Sequence, residues 1–341
     1  MVQQFRAFKE KQCTKIASVN VFAFIIFFVL VSIYALINHP TELIEPLEEQ
    51  WYLSGDSRYE VDIGWHEMWD VYCSIPSSQK NTVRIAIIDT GVDADNPEIK
   101  ESVIKTKIVS SDKIGHGTKV AGIICASQYA GRIVGISDIK KTKIIPIKLV
   151  LETDGIDKSP CDVEDLAKAI RLADSLGCSI CNISLNTNTD SKIVKDAIED
   201  SDMLFVVSAG NGEIKGRNID NYPSYPASYD IDNLITVTNV KSNGRLNSTA
   251  NFGQCVDIAA PGTEIYNLDI DNGYCAGTGT SFATPVVTGL AAMLYICDEK
   301  MTAEQCKAII LRSSTKEMRL EGKIQSGRIV NLDASLRSTV K

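Results

Sequence analysis

Between residues 82 and 314, short runs of β-branched and other apolar residues alternate with longer stretches whose apolar positions recur at helical spacing. The runs at Val83–Asp89, 143–149, 179–185, 204–209 and Leu234–Val240 are largely apolar, as strands buried on both faces of a parallel sheet must be. Helical spacing falls at His116–Cys125, 163–176, 191–201, 281–297 and 302–313. Alternation of this kind predicts an α/β fold, a three-layer sandwich in which helices cover both faces of a mainly parallel central sheet. No internal repeat or low-complexity tract interrupts it.

A different apolar pattern opens the chain. Residues 16–37 carry no charge, are rich in Phe, Ile and Val, and at 1.5 Å per residue are long enough to span a bilayer. No clear small-x-small cleavage site follows, so an uncleaved transmembrane anchor is expected, with secretion after signal cleavage as the alternative. Arg6, Lys9, Lys11 and Lys15 precede the segment, and Glu42, Glu45, Glu48 and Glu49 follow it. The positive-inside rule then places residues 1–15 in the cytoplasm and the main domain outside, at the cell membrane. The expected organisation is a basic tail over 1–15, a span over 16–37, a segment over 38–80 packed on the main domain, and that domain over 81–341.

Charge narrows the partners. Residues 38–341 hold 31 basic and 42 acidic side chains, which argues against nucleic acid or an anionic membrane surface as a partner. Of the ten cysteines, Cys13 would be cytoplasmic, and an odd number cannot all pair outside. Several of those lie in apolar runs, where Cys acts as a small hydrophobe, so free structural thiols are expected. Cys178-x-x-Cys181 has no second such pair, and the chain has only three histidines, which speaks against a metal or redox centre. Asn182-Ile183-Ser184 and Asn247-Ser248-Thr249 match the glycosylation acceptor pattern, the first of them in an expected buried strand.

Four places carry candidate chemistry. The strand at Val83 ends in Asp89-Thr90-Gly91, an acid at a glycine turn on the carboxyl edge of the sheet. Gly115-His116-Gly117-Thr118 sets a histidine at a helix start. Ser208-Ala209-Gly210-Asn211 ends another strand in a turn that exposes an amide. Gly279-Thr280-Ser281, followed by Ala283-Thr284-Pro285, presents a hydroxyl where a nearly wholly apolar helix begins and backbone N–H groups are unpaired. Taken singly, Ser281 also reads as an N-cap and Asn211 as a plain turn residue. Asp89-Thr90-Gly91 also matches aspartic peptidases, but those need two such carboxylates and this chain has one copy. The glycine run before Ser281 lacks the Lys and the spacing of a phosphate loop.

In this order the motifs resemble those of the subtilisin-like (S8) serine peptidases, together with Tyr225-Pro226-Ala227-Ser228-Tyr229 and Ala259-Ala260-Pro261-Gly262-Thr263. The likeness runs from about Val83 to about Ser313. It implies an endopeptidase acting on peptide or protein substrates, with Ser281 as nucleophile, His116 as base, Asp89 orienting the base and Asn211 donating to the oxyanion. Ser184, Leu185, Asn186, Ser208, Ala209 and Gly210 would line the substrate. Lys119 stands where the family often has a second His, with no effect expected on the chemistry. Asn186 stands where relatives usually have Gly, and its side chain is expected to narrow the pocket for the residue before the scissile bond. Relatives usually carry a folded prodomain; residues 38–80 are short for one, so activity without self-cleavage is expected. Calcium is common among relatives, but no ligand set matches, so no cofactor and no metal are expected. The expected protein is a monomer with its anchor in the membrane and the processing of secreted peptides as its task; the alternative is a catalytically silent binding or regulatory module on the same fold.

Overall fold

Eight strands form the central sheet of the computed structural model, which describes residues 43–105, 111–149 and 162–340. They are β1 (Val83–Asp89), β2 (Thr142–Lys148), β3 (Ile180–Ile183), β4 (Leu204–Ser208), β5 (Leu234–Val240), β6 (Ile258–Pro261), β9 (Thr315–Lys316) and β10 (Arg328–Ile329). A separate antiparallel hairpin joins β7 (Ile265–Leu268) to β8 (Tyr274–Gly277). The sheet order is β2-β1-β3-β4-β5-β6-β10-β9, parallel throughout except for the last pair. The expected sandwich with a mainly parallel sheet is therefore present. The expected span over 16–37 lies outside the described residues.

Seven helices are described: α1 (Trp65–Ser74), α2 (His116–Cys125), α3 (Val163–Ser175), α4 (Lys192–Glu199), α5 (Thr280–Cys297), α6 (Ala303–Ser313) and α7 (Leu332–Arg337). From β1 the chain moves outward through α2 to β2, then returns through α3 past β1 to β3. Right-handed crossovers in opposite directions put α2 and α3 on opposite faces. The direction of travel reverses at β1 and β3, and the crevice beyond the carboxyl ends of strands at such a reversal is where α/β folds gather chemistry.

Helix α5 packs on α2 and on the strands from β3 to β6. It is long and apolar enough to cross a membrane, yet 89% of its apolar window is buried in the protein. The sheet and its neighbouring helices supply the apolar surroundings that such a helix requires.

Residues 44–80 belong to the same compact unit as the sheet, which extends over Ile44–Lys341. Gln50 is wholly buried and clasps Val134, its Nε2 donating to the carbonyl at 2.8 Å and its Oε1 accepting from the amide at 3.0 Å. Trp51 donates to Thr263 O at 3.0 Å and Trp65 to Gly135 O at 3.1 Å, while Trp69 is buried between Trp65 and Tyr72. Helix α1 also packs on α7.

Candidate active site

Asp89 closes β1 and is fully buried. Its Oδ1 accepts from Thr90 N–H at 2.7 Å and lies 2.7 Å from His116 Nδ1, the first residue of α2. With a proton on Nδ1 directed at the carboxylate, Nε2 is left as the accepting nitrogen. Burial works to lower the pKa of His116, but the charge and hydrogen bond of Asp89, with Asp112 behind it, outweigh burial and Lys119 and raise it above 6.5.

Glycine is what lets the histidine helix approach so closely. A Cβ at Gly117 would stand 2.0 Å from Gly91 O, so any side chain there would drive α2 away from the Asp89 turn. Gly115, at φ 88, supplies the left-handed turn that enters the helix. Asp112 finishes the joint. Its Oδ1 accepts from Thr90 Oγ1 and from the amides of Ile114 and Gly115, and its Oδ2 accepts from the amide and hydroxyl of Thr118, at 2.7 to 3.0 Å. One buried carboxylate thus satisfies the start of α2 and ties it to the residue after Asp89. Sequence reasoning missed Asp112; an acid a few residues before a glycine-flanked helix start is the capping signal that marks it.

Ser281 lies in the first turn of α5 and is half-buried. Its Oγ makes no hydrogen bond to His116; the ring of His116 instead meets Phe282, centroids 5.7 Å apart, which brings the imidazole to the same helix turn. Exposed Asn211 accepts from Thr280 N–H through Oδ1 at 3.1 Å, which leaves Nδ2 free to donate. A Cβ at Gly279 would sit 3.3 Å from both Asn211 Nδ2 and Ser281 Oγ, so glycine keeps open the space those two groups share.

A polar thread fixes α5 to the sheet. Thr288 donates to Asn182 Oδ1 at 2.8 Å, Asn182 Nδ2 to Ser184 Oγ at 3.0 Å, and Ser184 Oγ to Ser281 O at 3.3 Å. Asn182 is fully buried with both ends of its amide engaged, so the acceptor pattern at Asn182 is internal to the core. Leu185 is half-buried beyond Ser184. Asn186 turns onto Ser208, with Nδ2 donating to the carbonyl at 2.7 Å and Oδ1 accepting from Oγ at 2.9 Å. Ala209 O and Gly210 O accept from the side-chain and backbone nitrogens of Asn251 at 3.0 and 3.1 Å. The expected substrate-lining residues therefore all lie at or just beyond the ends of β3 and β4.

Lys119 pairs with Asp269 at 2.7 Å, linking α2 to the loop between β7 and β8, and its charge opposes protonation of His116. The sequence suggested no bearing of this lysine on the chemistry, whereas the structure puts its charge among those acting on the imidazole. Among the described residues, no group of three or more His, Cys, Asp or Glu side chains is arranged to hold a metal ion.

The chain is similar to known proteins in sequence and in fold. The chain is 33% identical over 274 residues to the thermophilic serine proteinase of Bacillus sp. (strain AK1), a match covering 76% of this chain and 65% of that protein. It is 28% identical over 251 residues to subtilisin-like protease 3 of Plasmodium falciparum (isolate 3D7), covering 68% of this chain and 32% of the relative. The chain thus spans less than two thirds of the length of these two relatives. In fold it superposes on a protease from Pseudoalteromonas arctica PAMC 21717 with a TM-score of 0.69 at 19% identity, covering 87% of this chain and 99% of that structure. The model of the subtilase family, Peptidase S8, matches residues 80–329. With the motifs, the sheet and the family model in agreement over most of its length, the chain belongs to the subtilase family.

Proposed function

We propose that this subtilase is a serine endopeptidase in which Asp89, His116 and Ser281 act together. The observation that carries the reading is the 2.7 Å contact between buried Asp89 and His116, held beside the turn that presents Ser281. Ser281 Oγ attacks the peptide carbonyl as His116 Nε2 takes its proton, forming the C–O bond and a tetrahedral oxyanion. Asn211 Nδ2 and the Ser281 N–H donate to that oxyanion. Nε2 then protonates the departing amine as the C–N bond breaks, and water reverses the sequence to release the acid. The missing Ser281–His116 hydrogen bond accords with unliganded sites, where such contacts tighten only once substrate is bound.

The wider reading rests on the sequence: an anchor at 16–37, a domain on the outer side of the membrane, a monomer, and trimming of secreted peptides as the task. Fluorophosphonate labelling of the full chain in detergent tests the chemistry. An adduct mapped to Ser281, absent in Ser281→Ala and weakened in His116→Ala, is expected. A folded chain that takes no adduct would instead be the silent binding module.

A further inference from the structure

The residue that acylates Ser281 must point its carbonyl oxygen at Asn211 Nδ2, and Asn211 directly continues Ser208-Ala209-Gly210. Its side chain starts two bonds from that carbonyl carbon and so lies near two segments: 184–186 beyond β3, tied to Ser281 through the contact of Ser184 Oγ with Ser281 O, and 208–210 at the end of β4, which runs into Asn211. Neighbouring parallel strands lie about 4.8 Å apart. Past their ends these two separate, because Thr187 turns away to pair with Tyr225 through hydrogen bonds of 2.9 and 2.8 Å. A pocket for a large side chain could open in that gap.

In this chain the gap is crossed. Asn186 reaches over to Ser208 and closes a ring of two hydrogen bonds, 2.7 and 2.9 Å. The packing around the bridge is tight as well: a Cβ at Gly210 would meet Asn251 Nδ2 at 3.0 Å, Asn186 Oδ1 at 3.2 Å and Ser224 Oγ at 3.3 Å. Ser208, Ser224 and Asn251 are each at most 2% exposed. A bulky substrate side chain would have to displace the bridge and leave polar groups of buried Ser208 without partners, which is the expensive way to lose a hydrogen bond.

The geometry points to Asn186 as the residue that sets specificity: the Asn186–Ser208 bridge shuts the acyl-side pocket, so the enzyme takes substrates with Gly, Ala or Ser immediately before the scissile bond. This rests on the peptidase reading above and names its substrate class.

The test uses the full chain with Ala-Ala-Pro-X aminomethylcoumarin amides, X being Gly, Ala, Leu or Phe, and fluorophosphonate labelling run alongside. The wild type is expected to favour Ala over Phe in kcat/KM by at least about tenfold. Asn186→Gly is expected to raise the Phe:Ala ratio by a similar factor, chiefly through the Phe substrate. Ser208→Ala, which removes only the hydroxyl, should move the ratio the same way by less, and it serves if the glycine variant fails to fold. A general loss of structure would lower both substrates together and leave the ratio alone. A labelled wild type that prefers Phe or Leu, or folded variants with an unchanged ratio, overturn the closed pocket and leave the peptidase reading standing. A wild type that neither labels nor cleaves overturns both.

Discussion

In the proposed reaction His116 is a base only once its imidazole is neutral, and Asp89 raises the pH at which that happens. Because the carboxylate favours the charged ring, kcat/KM for a neutral amide substrate should fall as pH drops through a value above 6.5. Asp89→Asn removes the raising charge, so the limb should shift to lower pH even as the rate falls; a limb that stays in place would mean that Asp89 does not govern His116. At Asn211, replacement by Ala should lower kcat about a hundred- to thousand-fold with little change in KM, the usual loss on removing one oxyanion donor in serine peptidases. These residues were legible in the sequence because each sits in a short motif whose glycines are sterically required. The polar thread through Thr288, Asn182 and Ser184 was not, since an isolated polar residue in an apolar run does not reveal its partner across the fold.

At the scale of elements, Asp112 holds the histidine helix to the aspartate strand. Asp112→Asn turns an N–H group toward donors that need an acceptor, and should destabilise the fold by about 2–4 kcal/mol in urea titration. A shift under 1 kcal/mol would mean that water or a neighbour can take over the cap. The aromatic segment before β1 is equally structural. Trp65→Ala should lower stability by about 3–5 kcal/mol, because it empties a buried site and removes one of the two donors, with Gln128 Nε2, that Gly135 O accepts from. Long elements such as β1 and α5 could be read from their apolar runs. Helix α1 and the short strands β6, β7, β8, β9 and β10 could not, because two to four residues carry too little periodicity to declare themselves and α1 buries an aromatic stripe among polar neighbours.

At the scale of the whole molecule, the described residues cohere through the apolar core, with no cross-link among them. Every described cysteine is a free thiol, so melting temperature should be the same with and without reductant. Alkylation of the native protein should reach exposed Cys73 first and spare Cys125, Cys181 and Cys306, whose burial pushes their thiols well up. Helix α5 brings this dependence on the core to a point. It carries Ser281 at one end, and it is long and apolar enough to cross a lipid bilayer. A chain that has not finished folding therefore exposes a segment with two competing solvents. Any substitution that slows closure of the sheet over it should divert molecules toward lipid or toward one another, and the yield of folded protein should fall before the properties of the folded fraction change.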